Sequence, residues 1–91
     1  MKIEWLPAAQ REFSNQIIHL ADRNPIAAVR IGDAVEAAVE RLASYPHSGR
    51  PGRVPGTQEL VITDTPYIVV YRTTSNVVVI LRVLHGAQRW P

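Results

Sequence analysis

The stretch "YIVVYRTTSNVVVILRVLH" (Tyr67–His85) decides the fold. Two runs rich in β-branched and aromatic residues, Tyr67–Arg72 and Val77–His85, flank the polar "TTSN". A turn this short between such runs makes an antiparallel hairpin. Just upstream, "TDTP" separates the hairpin from a third run, "ELVI" (Glu59–Ile62), which extends it into a meander. Val77–Leu84 is nearly all apolar, as expected of a strand with helices on one face and some other cover on the opposite face.

Further upstream, "YPHSGRPGRVPG" (Tyr45–Gly56) holds three Pro and three Gly, a density that predicts an irregular loop. Before the loop the period of the pattern changes from two to 3.6. Ala9, Phe13, Ile17 and Leu20 share one face of a helix over Ala8–Ala21. Asn24-Pro25 then punctuates, with Asn24 suited to capping and Pro25 to a first helical turn. The second helix runs to about Ser44, with an apolar stripe of Ala27, Ile31, Ala34, Ala38, Leu42 and Tyr45. Arg30, Asp33, Glu36, Glu40 and Arg41 face outward. At the N-terminus "KIEW" alternates and reads as a short strand, and Pro7 opens the first helix. The order is β-α-α-β-β-β, an α+β architecture in which a short N-terminal strand and an α-helical hairpin pack on a twisted antiparallel sheet. One such domain fills residues 1–91. No further helices are left to cover the second sheet face, so its apolar residues are expected to be exposed unless a partner covers them.

Composition sets the outer limits. With 46% hydrophobic and 20% charged residues, the chain can bury a core. The absence of Cys excludes disulfides, thiolate catalysis and Cys-based zinc sites. No apolar run approaches the ~20 residues of a membrane span, and "MKIEWLP" lacks a signal-peptide core. A cytoplasmic protein without membrane partners is expected. The net charge of +2 is unevenly spread: residues 1–45 carry five Lys/Arg against six Asp/Glu, and residues 46–91 carry five Arg against Glu59 and Asp64. Any anionic partner is therefore expected to meet the second half, through guanidiniums suited to bidentate contacts.

The chemistry-bearing residues are few. His19, His47 and His85 are far apart and lack HxxxH or HExxH spacing, so neither a metal nor any other cofactor is expected. "GRPGRVPG" has no Gly-Lys-Ser/Thr and no strand–loop–helix context, so it is no phosphate cradle, although Arg50 and Arg53 can contact anions. Ser48 adjoins His47 in sequence only, and the acids sit mostly on the outer helix faces. What remains is His85, Gln88 and Arg89 at the C-terminal end, with Arg72 and Arg82 on the strands, both expected to alternate outward onto the open sheet face. A ribonuclease would use His85 as acid and base and the arginines on a pentacovalent phosphate. The alternative is a histidine that ends a strand beside a binding surface.

"YPHSGRPGRVPGTQELVI", "PYIVVYR" and "VVVILRVLHGAQRWP", together with the leading helical hairpin, resemble the RelE/ParE toxin family of type II toxin–antitoxin modules. The resemblance spans nearly the whole chain and implies the fold derived above. It also implies a cognate antitoxin, ParD-like or other, with a DNA-binding N-terminal part and a C-terminal segment that wraps the toxin in a hetero-oligomeric complex. In the RelE branch basic side chains cleave mRNA on the ribosome. The positions that carry them hold Glu59, Val61, Ile68 and Gln88 here, and the chain stops at Pro91, before that branch's C-terminal Tyr. The ParE branch lacks this ribonuclease set and inhibits DNA gyrase. Many relatives carry Arg where this chain has Gln88, with Arg89 one place later. The resemblance thus implies a non-enzymatic, ParE-like growth inhibitor. Its rivals are a ribosome-dependent mRNA endonuclease and a toxin-like interaction module that has lost activity. Arg72, Arg82, His85, Arg89 and Trp90, helped by Arg50 and Arg53, are expected to face the target. Trp5, Tyr67 and Tyr71 are expected to anchor the antitoxin, since aromatic residues dominate such interfaces.

Overall fold

The computed structural model describes every residue except Ala87, so the "HGAQR" ending is described apart from that position. In chain order the elements are β1 (Lys2–Trp5), α1 (Pro7–Arg23), α2 (Pro25–Arg41), β2 (Arg50–Pro51), β3 (Gln58–Val61), β4 (Tyr67–Thr74) and β5 (Val77–His85). The strands form one five-stranded sheet in the order β1-β5-β4-β3-β2. β3, β4 and β5 make the expected antiparallel meander. β1 joins β5 in parallel, pairing Lys2 with Val77 through Trp5 with Ile80, so the sheet is mixed rather than wholly antiparallel. The Pro/Gly loop was expected to hold no regular element, yet Arg50 and Pro51 pair with Glu59 and Gln58. As an edge strand β2 can tolerate a proline, which has no N–H to give.

The two helices meet at a single residue. The Asn24 N–H donates to the Leu20 carbonyl at 2.7 Å, closing α1, and the Asn24 side chain accepts from the Ala27 N–H at 3.1 Å, opening α2. Pro7 and Pro25 each occupy a first turn, where no helical N–H partner is needed. Ala9 and Phe13 of α1 and Val35, Ala38 and Val39 of α2, with Leu42, pack on Ile62, Tyr67, Val69, Tyr71, Val78, Ile80 and Val83 of the sheet side. The buried face of α2 keeps Ala38 and Leu42 of the expected stripe, with Ile31 and Ala34 partly buried beside them, and extends to Ala28, Val35 and Val39. In an alanine-rich helix several faces look alike, and burial of the larger valines decides among them. Tyr45 lies beyond the helix end and is 67% exposed.

β5 carries a bulge. Tyr71 faces Ile80 and Val70 faces Arg82, leaving Leu81 as the extra residue. Strict alternation from Val78 and Ile80 would turn Arg82 into the core. The bulge reverses the phase, placing Val83 in the core and Arg82 beside Val70 on the opposite face.

That opposite face is not the bare surface expected from the sequence. Val70, Val79 and Leu84 are 0%, 7% and 3% exposed. The C-terminal tail and the loop after β2 return over it: Trp90, Arg50 and Arg53 line a small cavity with Ile68 and Leu84. The chain thus supplies part of the cover that a partner was expected to bring. One exposed large apolar side chain, Val61 on β3, stays on this face beside Ile68; the others among the described residues lie elsewhere, at Met1, at Ile18, Ile26 and Val29 of the helical hairpin and at Tyr45. Among the described residues, no helix is long and apolar enough to cross a membrane.

Candidate functional site

β1 is only four residues long, and its last sheet contact is the Leu6 N–H to the Ile80 carbonyl at 3.0 Å. Beyond Ile80, β5 would be a free sheet edge. α1 closes it with two side chains one turn apart. The Val83 N–H donates to Glu12 Oε1 at 3.2 Å, and Gln16 Nε2 donates to the Val83 carbonyl at 2.8 Å. Arg82 grips the same carboxylate, with Nε 3.0 Å from both oxygens and Nη2 2.7 Å from Oε2. Hydrogen bonding to Glu12 raises the Arg82 pKa above its already high ordinary value. The acids are expected mostly on the outer helix faces, yet the Glu12 side chain is three-quarters buried against β5. The only sequence signal was its i, i+4 spacing from Gln16, which many surface pairs share.

A second carboxylate organises the opposite face. Glu59, 7% exposed, accepts from Arg50 Nε at 3.2 Å and Nη2 at 3.0 Å, and from the Arg53 N–H at 3.4 Å. The loop after β2 is thereby tied to β3. The Tyr71 hydroxyl ties down the loop before it, donating to the Pro46 carbonyl at 2.9 Å and accepting from the Gly49 N–H at 2.9 Å. Burial pushes the Tyr71 pKa up, and its hydrogen bonds with Gly49 and Ser48 oppose that only in part.

The tail is held by the same region. The Gly86 N–H donates to the Pro66 carbonyl at 2.6 Å, and Gln88 Oε1 accepts from the His85 N–H at 2.7 Å. Arg53 Nη1 donates to the Trp90 carbonyl at 3.1 Å, and the Arg82 guanidinium carbon lies 5.8 Å from the centre of the Trp90 ring. Arg50, Arg53, Glu59, Ile68, His85, Gln88 and Trp90 line a cavity of about 60 Å³. Five of the expected target-facing residues therefore cluster: Arg50, Arg53, His85 and Trp90 around the cavity, and Arg82 through the Trp90 ring. Arg72 lies on the same sheet face by register but outside this cluster, and Arg89 is exposed on the tail.

Chemically the cluster suits gripping better than proton transfer. Arg50 and Arg82 already face carboxylates. The His85 ring packs edge-on against Tyr67 at 5.8 Å between centres, and among the described residues the hydrogen bonds at His85 are made by its backbone. No group of three or more His, Asp or Glu side chains among the described residues is arranged to hold a metal ion.

The expected antitoxin anchors separate. Tyr71 is fully buried and Tyr67 nearly so, which makes both core residues rather than surface anchors as the chain is folded. The rings of these two residues supply the volume that closes the core under the helices. Trp5 is half-buried, stacked on Phe13 with 5.6 Å between ring centres, and it lines a surface cavity of about 350 Å³.

The sequence matches the family model described as the ParE toxin of the type II toxin–antitoxin system parDE, over residues 3–90. The chain belongs to the ParE toxin family. Toxin Y4kP of Sinorhizobium fredii is 42% identical over 90 residues, covering 99% of this chain and 93% of that protein. Toxin RelE1 of Caulobacter vibrioides is 35% identical over 83 residues, covering 89% and 88%. A chain from the chromosomal ParDE toxin–antitoxin system of P. aeruginosa superposes with a TM-score of 0.81 at 23% identity, covering 91% of this chain and 92% of that one. That likeness shows the fold, a helical hairpin on a five-stranded sheet. The chain is thus a RelE/ParE-family toxin of the type II toxin–antitoxin class.

Proposed function

We propose that this toxin inhibits growth by binding, not by cutting RNA, and that its cytoplasmic target is DNA gyrase. One observation carries the reading. The cavity where the sheet, the loop and the tail converge is lined by Glu59, Ile68 and Gln88, and its best-placed guanidinium is neutralised by Glu59. Cleaving RNA requires a base for the 2′-hydroxyl, an acid for the leaving oxygen and cations on the phosphorane. With Glu59 paired to Arg50, and an aliphatic Ile68 and a neutral Gln88 beside it, His85 and Arg53 are the lining groups left for proton transfer and charge, too few for all three tasks. Arg53, Arg72, Arg89 and the Trp90 ring offer instead a cationic and aromatic gripping surface.

A cognate antitoxin neutralises the toxin in this reading, within a hetero-oligomeric complex. Its contact surface is the apolar outer part of the helical hairpin, where Ile26 is 82% exposed, together with the uncovered stretch of β3, where Val61 is 51% exposed. β2 pairs only with Gln58 and Glu59, so the β3 backbone beyond them is open to an added strand.

The ribonuclease reading keeps one specific support: relatives at 35% and 31% identity carry the name RelE. Expression without antitoxin, scored for double-strand DNA breaks and for 5′ ends of polysomal RNA, separates the two. Breaks with intact transcripts support the gyrase reading. Cleavage at fixed codon positions overturns it, and unimpaired growth with neither lesion assigns the chain to an inactive interaction module.

A further inference from the structure

We propose that the groove between α1 and the ends of β4 and β5 is a binding site for a nucleotide, either free or at the end of a strand. This groove adjoins the Arg50–Trp90 cluster, sharing His85 and Gln88 with it, and the proposal does not depend on the target proposed above. Its volume is about 510 Å³, inside the range of about 300–1,000 Å³ typical of small-molecule sites. Along α1, Gln16, His19, Leu20 and Arg23 all line it, a spacing that puts them on one helix face. Tyr67 and His85 line it from the sheet, and their rings stand edge to face.

Each part of the groove matches a part of a nucleotide. Arg23 and His19, one turn apart at its exposed rim, are suited to a phosphate. Glu12 also lines the groove, but its charge is held by Arg82 and the Val83 N–H and does not repel an anion freely. The Tyr67 and His85 rings and the apolar Leu20 offer surface to a flat base. Gln16 sets the polarity of the inner wall. Its Nε2 is committed to the Val83 carbonyl, which fixes the amide orientation and leaves Oε1 buried without a partner. A buried acceptor with no donor is costly; a base that displaces the groove wall in front of it brings an exocyclic amino or ring N–H that satisfies it. A bare anion would engage the rim and leave that acceptor empty.

The test is an NMR titration of the purified full chain with each of four nucleoside 5′-monophosphates, with a single-stranded tetranucleotide and with inorganic phosphate. Expected are saturable shifts of the Gln16, His19, Arg23, Tyr67 and His85 amides with at least one mononucleotide. Arg23→Ala and His19→Ala, both at exposed positions with unchanged melting, each weaken binding about tenfold. Tighter binding of the tetranucleotide that is lost in the same variants assigns the site to a strand end; preference for the monophosphate assigns it to the free nucleotide. No saturable shift at millimolar ligand overturns the proposal. Equal shifts with phosphate alone, or binding indifferent to both variants, also overturn it.

Discussion

Replacing Tyr71 by Phe removes one oxygen atom and keeps the ring that fills the core. That oxygen donates to Pro46 and accepts from Gly49, so its loss strands a carbonyl and an N–H, both part-buried, at the start of the loop that leads to the Arg50–Glu59 pair. At about 0.5–1.5 kcal/mol net per hydrogen bond, the variant is destabilised by about 2 kcal/mol, which for a domain of this size lowers Tm by roughly 10 °C. The hydroxyl also has a pH signature. Burial raises its pKa in the folded chain, so above about pH 10, the ordinary tyrosine value, the unfolded chain ionises first. The contribution of the protonated hydroxyl is therefore complete below that pH and is lost as pH rises through the folded value. Urea denaturation followed by circular dichroism, at neutral pH and between pH 10 and 11, measures both effects. The parent should lose stability more steeply than Tyr71→Phe on going alkaline, narrowing the gap between them. A neutral-pH difference under about 0.5 kcal/mol, or parallel alkaline profiles, refutes the assigned role of the hydroxyl.

Other expectations follow from single contacts. Glu12→Ala leaves Arg82 and the Val83 N–H without their acceptor and should cost about 2 kcal/mol in urea denaturation. Gln16→Ala should cost less, because it uncovers only the Val83 carbonyl. Gly49→Ala puts a methyl 2.7 Å from the Tyr71 hydroxyl oxygen and 2.9 Å from the Glu59 carbonyl oxygen. It should lower stability by about 1–3 kcal/mol in urea denaturation, and less than half of that should be relieved in the Tyr71→Phe background, because ring carbon Cε1 at 2.8 Å and the Glu59 carbonyl remain in the way. Ile26→Asp, at a largely exposed helix position, should leave the melting temperature within a few degrees while weakening antitoxin binding at least tenfold by calorimetry.

Much of this protein was legible before any coordinates. Local periodicity is a near-neighbour property, so the β-α-α-β-β-β order, the Asn24 junction and the β4–β5 hairpin could be read from spacing and turn residues. The family was legible too, since its motifs lie on those elements. The site was less so. Trp90, Arg82 and Arg50 were named as one surface, but their pairing with Glu12 and Glu59 was not foreseen, because each pair joins residues set by different elements.

Sequence alone determined which segments are helix and which are strand, and that few proton-transfer groups accompany the arginines. Tertiary structure decided which way those arginines face and what restrains them. The extra residue at Leu81 reverses the phase of β5 and turns Arg82 away from the core. The shortness of β1 exposes an edge that Glu12 and Gln16, brought there by α1, close. A bulge and an edge are properties of strands already paired, and no period along a single chain encodes them.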